Sequence, residues 1–262
     1  MAGGVMSMTD EERRQRVLAR AELGQVTVLG TLTDEEIVAL EGTTVEQLTM
    51  MPHYDVVADK RGAVQAAARS LVAHGFALPH EDRSTRVTPS DDIADVLATR
   101  RGTPVLMVIE RELADTKRWS YCLFYGESVI EEQISDDGFH TFAALASVNL
   151  AQHLVGLLDP ISVADDQQSG LVAQYADLDE FLVAVESMPE VAQSVAVSTL
   201  TMMQVNPDRM ETAAVYISPQ GAFILRMVED RYHLSRATRQ DLGQLIHDLI
   251  RNVVAGAGDI AE

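Results

Sequence analysis

An internal repeat constrains the fold of this chain more than any other sequence feature. The segments SYCLFYGESVIEEQISDDGFHTFAAL and TAAVYISPQGAFILRMVEDRYHLSRAT each predict a strand, a tight turn, a second strand, an aromatic residue followed by histidine, and the start of a helix. The histidine pairs Phe139-His140 and Tyr232-His233 are offset by 93 residues. Four apolar helix positions recur at a constant offset of 92 residues, pairing Leu150, Leu154, Leu157 and Leu158 with Leu242, Ile246, Leu249 and Ile250. This self-similarity predicts a duplicated supersecondary unit, although unrelated hairpin–helix units can show similar patterns.

Three strands are expected before the helix of each copy. TPVLMVIERE, RWSYCLFYG and ESVIEEQIS have the apolar or alternating runs that are typical of strands, and STLTMMQVN, METAAVYIS and GAFILRMVE repeat them. Tight turns at Gly126-Glu127 and at Pro219-Gln220-Gly221 indicate antiparallel pairing. The sequence therefore predicts an α+β fold of two quasi-twofold-related β-β-β-α halves, with an antiparallel sheet and flanking helices.

Helix signals define the expected domain organisation. Capping boxes beginning at Thr9 and Thr33 predict helices over 10–22 and 34–40, and a further helix is expected over 44–51, ended by Pro52. The helix that ends the first copy is expected over 141–158. The resulting parts, expected to form one compact domain, are an N-terminal helical layer over 1–52, a first α/β half over 53–160, a polar linker over 161–176 and a second α/β half over 177–262.

Charge and composition exclude several classes of function. The formal net charge of −20 is spread evenly, with −10 on residues 1–150 and −10 on residues 151–262. This opposes general affinity for nucleic acid or anionic membranes, which need clustered Lys and Arg. No apolar run approaches the length of a membrane span, and the N-terminus lacks the apolar core of a secretory signal. The single cysteine, Cys122, lies in an apolar run, so a buried thiol in a reducing, cytoplasmic compartment is expected.

The sequence shows no assembled catalytic, cofactor or metal site. The seven histidines form no HExxH pair, and no second cysteine exists to build a zinc site. His80-Glu81-Asp82 is expected to be a solvated turn. His140 and His233 occupy equivalent repeat positions, for which we expect a structural role such as a hydrogen bond to a backbone carbonyl. We therefore predict no catalytic residue, no cofactor and no metal ligand.

Several segments resemble the EspG family of type VII secretion chaperones from actinobacteria. The run AVQAAARSLVAHGF, the capped helix TPSDDIADVLATRR and the strand GTPVLMVIERE resemble the first half of these proteins, and FILRMVEDRYHLSRATRQDLGQLIHDLI resembles their C-terminal strand and helix. The resemblance covers roughly 33–250 and is one of periodicity and small residues, without an invariant chemical motif. It implies a quasi-twofold α/β fold and a non-enzymatic cytosolic chaperone that binds helical PE/PPE-like or WXG-type secretion substrates.

The resemblance also implies where a partner binds. The family uses the loop between early strands together with the C-terminal half, and that loop corresponds here to Glu112, Leu113, Asp115 and Lys117. A chaperone of this kind should also expose an apolar patch. We expect the patch on the second half, where a helix breaks at Pro189 shortly before a strand, and its predicted members are Phe181, Leu182, Val185, Met202 and Met203. A homodimer is also possible.

Two other classes of function stay open at this point. The segment 60–101, with two helices followed by an extended stretch, is compatible with a winged-helix transcription regulator, although the net charge opposes it. An enzyme whose site is assembled only on folding is the other alternative.

Overall fold

A computed structural model describes residues 8–21, 25–42, 49–80, 87–101, 103, 105–204 and 209–254, except for the side chain of Asp166. Its helices are α1 Asp10–Leu18, α2 Asp34–Glu41, α3 Pro52–Val56, α4 Lys60–Ala73, α5 Asp91–Thr99, α6 Ser147–Leu158, α7 Leu178–Val185, α8 Pro189–Ala192 and α9 Arg239–Val254. Its strands are β1 Thr27–Thr33, β2 Ala77–Pro79, β3 Val87–Pro89, β4 Val105–Leu113, β5 Thr116–Tyr125, β6 Ser128–Ser135, β7 Phe139–Ala146, β8 Gly170–Tyr175, β9 Ala196–Gln204, β10 Arg209–Ser218, β11 Gly221–Val228 and β12 Arg231–Ala237.

The chain divides into two compact units, and the first comprises Met1–Thr103 and Leu123–Ala146. Its strands β1, β7 and β6 are adjacent and antiparallel. Helices α2 and α4 pack against each other, as do α1 and α5. The apolar core of this unit joins strand, helix and loop residues, namely Leu32, Ile37, Met51, Leu71, Ala77, Ile93, Val96, Leu97 and Phe142.

The second unit comprises Pro104–Cys122 and Ser147–Glu262. Six of its strands form an antiparallel sheet in the order β4-β9-β10-β11-β12-β8. Helix α9 contacts β9, β10 and β12 and also packs on α6. Asn252 of α9 donates a hydrogen bond to Glu211 of β10, which places α9 on the face that carries buried Ala213 and Val215. The opposite face receives α7, whose Phe181 packs with Leu225 and Leu234 among others.

Local capping signals in the sequence are confirmed. The Thr33 side chain accepts a hydrogen bond from the Glu36 amide at 3.2 Å, and the Glu36 carboxylate accepts one from the Thr33 amide at 3.1 Å. Thr9 and Glu12 make the same reciprocal pair at the start of α1. Each box satisfies amides that a helix start leaves without an intrahelical partner. The predicted α+β class, with an antiparallel sheet and flanking helices, is confirmed as well.

Each repeat contains one strand more than the pattern predicted. The predicted helix over 141–158 begins only at Ser147, because 139–146 forms strand β7 between β1 and β6. Its run HTFAALA favours a helix on propensity, but nearly all of its side chains are buried in the sheet, and tertiary packing overrides a weak local preference. Strand β12 is the matching addition in the second repeat.

The structure differs from the sequence pattern in three further segments. Strand β1 lies within the segment predicted as helical, and Pro52 begins α3 where it was expected to end a helix. Proline fits the first position of a helix because its missing amide has no intrahelical partner there. The predicted helix over 44–51 is not helical at 49–51, and the rest of it lies outside the described residues. The predicted linker contains strand β8, which pairs with β12.

The order of elements supports the predicted duplication. Both repeats have four consecutive strands followed by a helix, β4 to β7 with α6 and β9 to β12 with α9. The first residues of matched elements are 91 to 93 positions apart. The offset is 91 for β4 and β9, which begin at Val105 and Ala196, and 93 for β6 and β11, which begin at Ser128 and Gly221. The superposition of the two copies stays a prediction.

Candidate protein-binding groove

The segment from Glu112 to Lys117, expected to be a binding loop, is a tight hairpin. Glu112 and Leu113 end β4, Lys117 lies in β5, and the turn consists of Ala114 and Asp115. Lys117 Nζ lies 2.6 Å from a Glu112 carboxylate oxygen. Hydrogen bonds to Glu112 and then to Glu110 raise the pKa of Lys117. The predicted residues therefore form a paired, exposed charge cluster on a short turn, without a projecting loop.

The predicted apolar patch on the second half divides into core and surface residues. Phe181 and Met202 are buried, with exposed fractions of 1% and 0%, so these two predictions of surface contact residues are wrong. Phe181 fills the space between α7 and the sheet, where Tyr175 and Tyr216 pack against its ring. Leu182 is 51% exposed, and Val185 and Met203 are half-buried. Adjacent strand residues point to opposite faces, which explains the contrast between Met202 and Met203.

Strand register places the surviving candidates on one face of the second unit's sheet. Glu112 pairs with Val197, and Val197 pairs with Tyr216. Directly opposite residues of an antiparallel pair project from the same face. Tyr216 packs with the α7 cluster, so this face, called the open face below, carries both Glu112 and α7. Met203 pairs with Met210, six residues along each strand from the pair of Val197 and Tyr216, and therefore belongs to this face too.

A groove of about 790 Å³ lies on the second unit. Side chains from both faces of the sheet line it. Leu178 of α7 and the open-face residues Thr199, Met210, Thr212, Ala214, Tyr216, Leu225, Met227 and Tyr232 form one part, and the other part consists of Glu211, Ala213, Arg226 and Val228 with Leu245, Asp248, Leu249 and Asn252 of α9. Met210 and Met227 are 67% and 61% exposed, and Leu178 is 43% exposed. The hydroxyl of Thr212 forms a hydrogen bond with the hydroxyl of the neighbouring Thr201, at 3.4 Å. The open face therefore offers exposed, adaptable apolar side chains.

Sequence reasoning missed Met210 and Met227 as surface residues. The available signal was the alternation in METAAVYIS, in which Met210 shares a face with Tyr216 and opposes the buried Ala213 and Val215. Alternation alone does not show which face a helix covers.

A buried ionic network in the first unit is the second cluster of functional side chains. His140 on β7 is fully buried, with Nε2 2.6 Å from Asp34 Oδ1 and Nδ1 2.6 Å from Glu132 Oε1. Arg100, at the end of α5, donates from Nε to Glu132 Oε2 at 3.2 Å and also pairs with Glu41. The expected bond from His140 to a backbone carbonyl is therefore wrong, because both ring nitrogens contact carboxylates.

The pKa values of two residues in this network are shifted. Burial alone would lower the pKa of His140, but hydrogen bonds to Asp34 and Glu132 outweigh it and raise the pKa. Burial alone would raise the pKa of Glu132, but the Arg100 guanidinium and His140 hold that pKa below its usual value. Both shifts favour the charged form of His140, which would donate one N–H to each carboxylate.

The network connects several elements of the first unit. Asp34 also accepts hydrogen bonds from the His53 and Tyr54 amides at 2.8 Å, which supplies α3 with partners for its first amides. His140, at the centre of the network, is fully buried and contacts a carboxylate with each ring nitrogen. The hydrogen bonds and ion pairs of the network connect α2, α3 and the end of α5 to β6 and β7.

The other sequence-predicted positions give no site. His233 is half-buried on β12 beside Gln174 of β8, so it does not reproduce the surroundings of His140. His80 is exposed, whereas Glu81 and Asp82 lie outside the described residues. Cys122 is buried, as expected. Within the described ranges, no group of three or more His, Cys, Asp or Glu side chains could hold a metal ion. None of the described helices is long and apolar enough to cross a membrane.

The fold is similar to a solved chaperone structure. The Mycobacterium tuberculosis type VII secretion system chaperone EspG5, determined in complex with a PE25–PPE41 dimer, matches 86% of this chain and 96% of its own, with a TM-score of 0.54 and 10% sequence identity. No protein-family model matches the sequence, and no curated protein matches it. At this identity the likeness establishes an EspG-like fold alone.

Proposed function

We propose that this chain is a non-enzymatic, cytoplasmic chaperone of a type VII secretion system that binds a helical protein partner on the open face. The groove around Met210 and Met227 is the observation that carries the proposal, because it exposes flexible apolar side chains on a folded sheet. The EspG-like fold supports the same assignment, since the structure of the similar chaperone was determined in complex with a PE25–PPE41 dimer. We infer a PE–PPE-like helical dimer as the partner.

The physical basis is burial of the exposed methionines by an apolar helix face. Methionine is unbranched and polarisable, so it can adapt to differently shaped helices without a cost in core packing. A helix that lies in a groove presents residues at positions i, i+3, i+4 and i+7. Leu178 and Leu182 of α7, one helical turn apart, extend the apolar surface beside the groove.

Calorimetry on charge variants tests the proposal. The probe is a helical PE–PPE-like dimer from the source organism of this chain, co-expressed and purified. Met210→Asp and Met227→Asp should each weaken binding about tenfold or more, while the thermal midpoint stays nearly constant because both side chains are exposed. Val56→Asp on α3 is the matched control, since Val56 is 79% exposed and belongs to the first unit.

Two outcomes would contradict the proposal. If Met210→Asp and Met227→Asp bind as tightly as the unmodified chain, the open face is not the binding surface. If the unmodified chain shows no heat of binding with the dimer, the chaperone assignment itself is wrong.

The structure gives no support to the winged-helix alternative. Helix α5, which would have to read the DNA, packs on α1, and its Asp95 is buried against Arg13 and Arg16 of α1 at 3.0 and 3.1 Å. Arg20 of α1 pairs with Asp92. A recognition helix needs basic side chains that face the groove of DNA, whereas α5 carries paired carboxylates.

A further inference from the structure

We infer that the open face selects a partner helix whose apolar stripe is bordered by Lys and Arg. The inference rests on the proposed function and adds the chemistry that the partner must carry. Its observations are the position of uncompensated carboxylates beside the groove and the apolar residues that they border.

The chain segment that contains α7 and α8 has no lysine or arginine. No Lys or Arg occurs from Trp119 to Asp208, a stretch with fourteen Asp and Glu. Five of these acidic residues lie on or beside α7 and α8, namely Asp177, Asp179, Glu180, Glu186 and Glu190. The residues between α6 and β9 therefore form a strongly negative segment.

Only two of the five carboxylates have a local structural use. Asp177 accepts from the Glu180 amide at 2.8 Å, and Glu180 accepts from the Ala176 amide. Among the described residues, Asp179, Glu186 and Glu190 have no Lys, Arg or His within salt-bridge distance. Across the same sheet face, by contrast, Glu110 and Glu112 are both paired with Lys117. The carboxylates of α7 and α8 are thus available to a partner's cations.

These carboxylates border an apolar surface that is continuous with the groove. Leu178 lines the groove together with Met210 and Met227. Leu182 and Val183, on the same short helix, are 51% and 75% exposed. Asp179 lies one turn before Val183, and Glu186 one turn after Leu182. An amphipathic helix with a leucine stripe and flanking cations complements both features at once.

Charge also disfavours the other occupants. A second copy of this chain carries the same net charge of −20 and would place its own carboxylates against α7 in a symmetric contact. Nucleic acid and anionic lipid are repelled for the same reason. A cationic, amphipathic helical protein segment is the occupant that remains.

Two designed helical peptides of about 20 residues test the inference with the full-length chain. Both contain the same leucine stripe, flanked by lysines in one and by glutamates in the other, and fluorescence anisotropy gives their affinities. The lysine peptide should bind at least about tenfold more tightly. Its affinity should fall between about 50 mM and about 300 mM NaCl, because exposed charges are screened over shorter distances at higher salt.

Charge-neutral variants locate the effect on α7. Asp179→Asn with Glu186→Gln should weaken binding of the lysine peptide about fivefold, equivalent to about 1 kcal/mol. Asp136→Asn with Asp137→Asn is the matched control, because it removes the same charge from two exposed residues of the first unit and should leave the affinity unchanged. A thermal midpoint for each variant confirms folding.

The outcomes separate this inference from the proposed function. Equal affinity for both peptides, with Met210→Asp weakening both, would overturn the charge selection and leave the binding groove in place. Binding of neither peptide, or an equal loss in the α7 variant and its control, would also overturn the inference. Failure of the groove itself would appear separately, as absence of binding by the helical dimer.

Discussion

Removing the imidazole of His140 should destabilise the protein strongly and change how its stability depends on pH. In the structure both ring nitrogens of His140 contact fully buried carboxylates, those of Asp34 and Glu132, each at 2.6 Å. His140→Gln leaves these carboxylates without their shared cation. Breaking a buried ion pair by removal of one partner costs about 3–5 kcal/mol. We therefore expect a loss of this size in the free energy of unfolding near pH 6.

The pH dependence follows from the directions of two pKa shifts. The pKa of His140 is raised on folding, so its contribution is complete below the unfolded pKa of about 6.5 and is lost as the pH rises through the folded pKa. Between these two values the free energy of unfolding should fall by about 1.4 kcal/mol per pH unit. The pKa of Glu132 is lowered, so its contribution is present above its unfolded value and is lost at acid pH.

Urea denaturation from pH 5.5 to pH 9 measures both effects. The unmodified chain should lose stability above about pH 6.5, and His140→Gln should lack that part of the slope. His247→Gln is the matched control, because His247 is an exposed histidine on α9. Parallel pH profiles for the unmodified chain and His140→Gln would refute the reasoning, since they would mean that His140 is not protonated in the folded state.

Three further predictions follow from single contacts. Phe181→Asp should lower the free energy of unfolding by about 3–5 kcal/mol, because it buries a charge in the α7 core. Leu182→Asp should change this free energy by less than about 0.5 kcal/mol, because Leu182 is exposed. Chemical denaturation measures both values. Gly138→Ala should cost about 1–3 kcal/mol by the same assay, because Gly138 has φ +74° and an added Cβ would lie 2.6 Å from His53 Cβ. Burial raises the pKa of Tyr125 to about 12, so the ultraviolet titration of Tyr125→Phe should lose its most alkaline phenol.

Local signals allowed much of the fold to be predicted from the sequence. Capping boxes and tight turns are decided by residues that are close in sequence, so the starts of α1 and α2 and the β5–β6 turn at Gly126 were predicted correctly. Strand β7 was not predicted, because HTFAALA forms a strand through its pairing with β1 and β6. Strand β1 is distant in sequence, and β6 lies across a turn. Edge strand β8 was missed since its exposed side chains lack an alternating pattern.

The candidate site was only partly predictable, because its face depends on register. The sequence placed Met202 and Met203 on opposite faces, but only the pairing of Met203 with Met210 and the position of α9 show which face stays open. The buried network could not be predicted from the sequence for a related reason. Asp34 and His140 are 106 residues apart, and nothing in the pattern of either segment indicates that they meet.

Arg100 tests whether the buried charges act as one unit. Arg100 is 4% exposed and pairs with Glu132 and Glu41, so Arg100→Met should cost about 3–5 kcal/mol because it removes a buried positive charge that both carboxylates contact. Glu132→Gln keeps an acceptor for His140 but removes the charge that Arg100 neutralises. Because the two substitutions remove the same interaction, the double variant should be more stable than the sum of the single losses implies, by about 1–3 kcal/mol. Urea denaturation at pH 6 measures the cycle. Strictly additive losses would mean that Arg100 and Glu132 are stabilised independently, and the description of these side chains as one network would then be wrong.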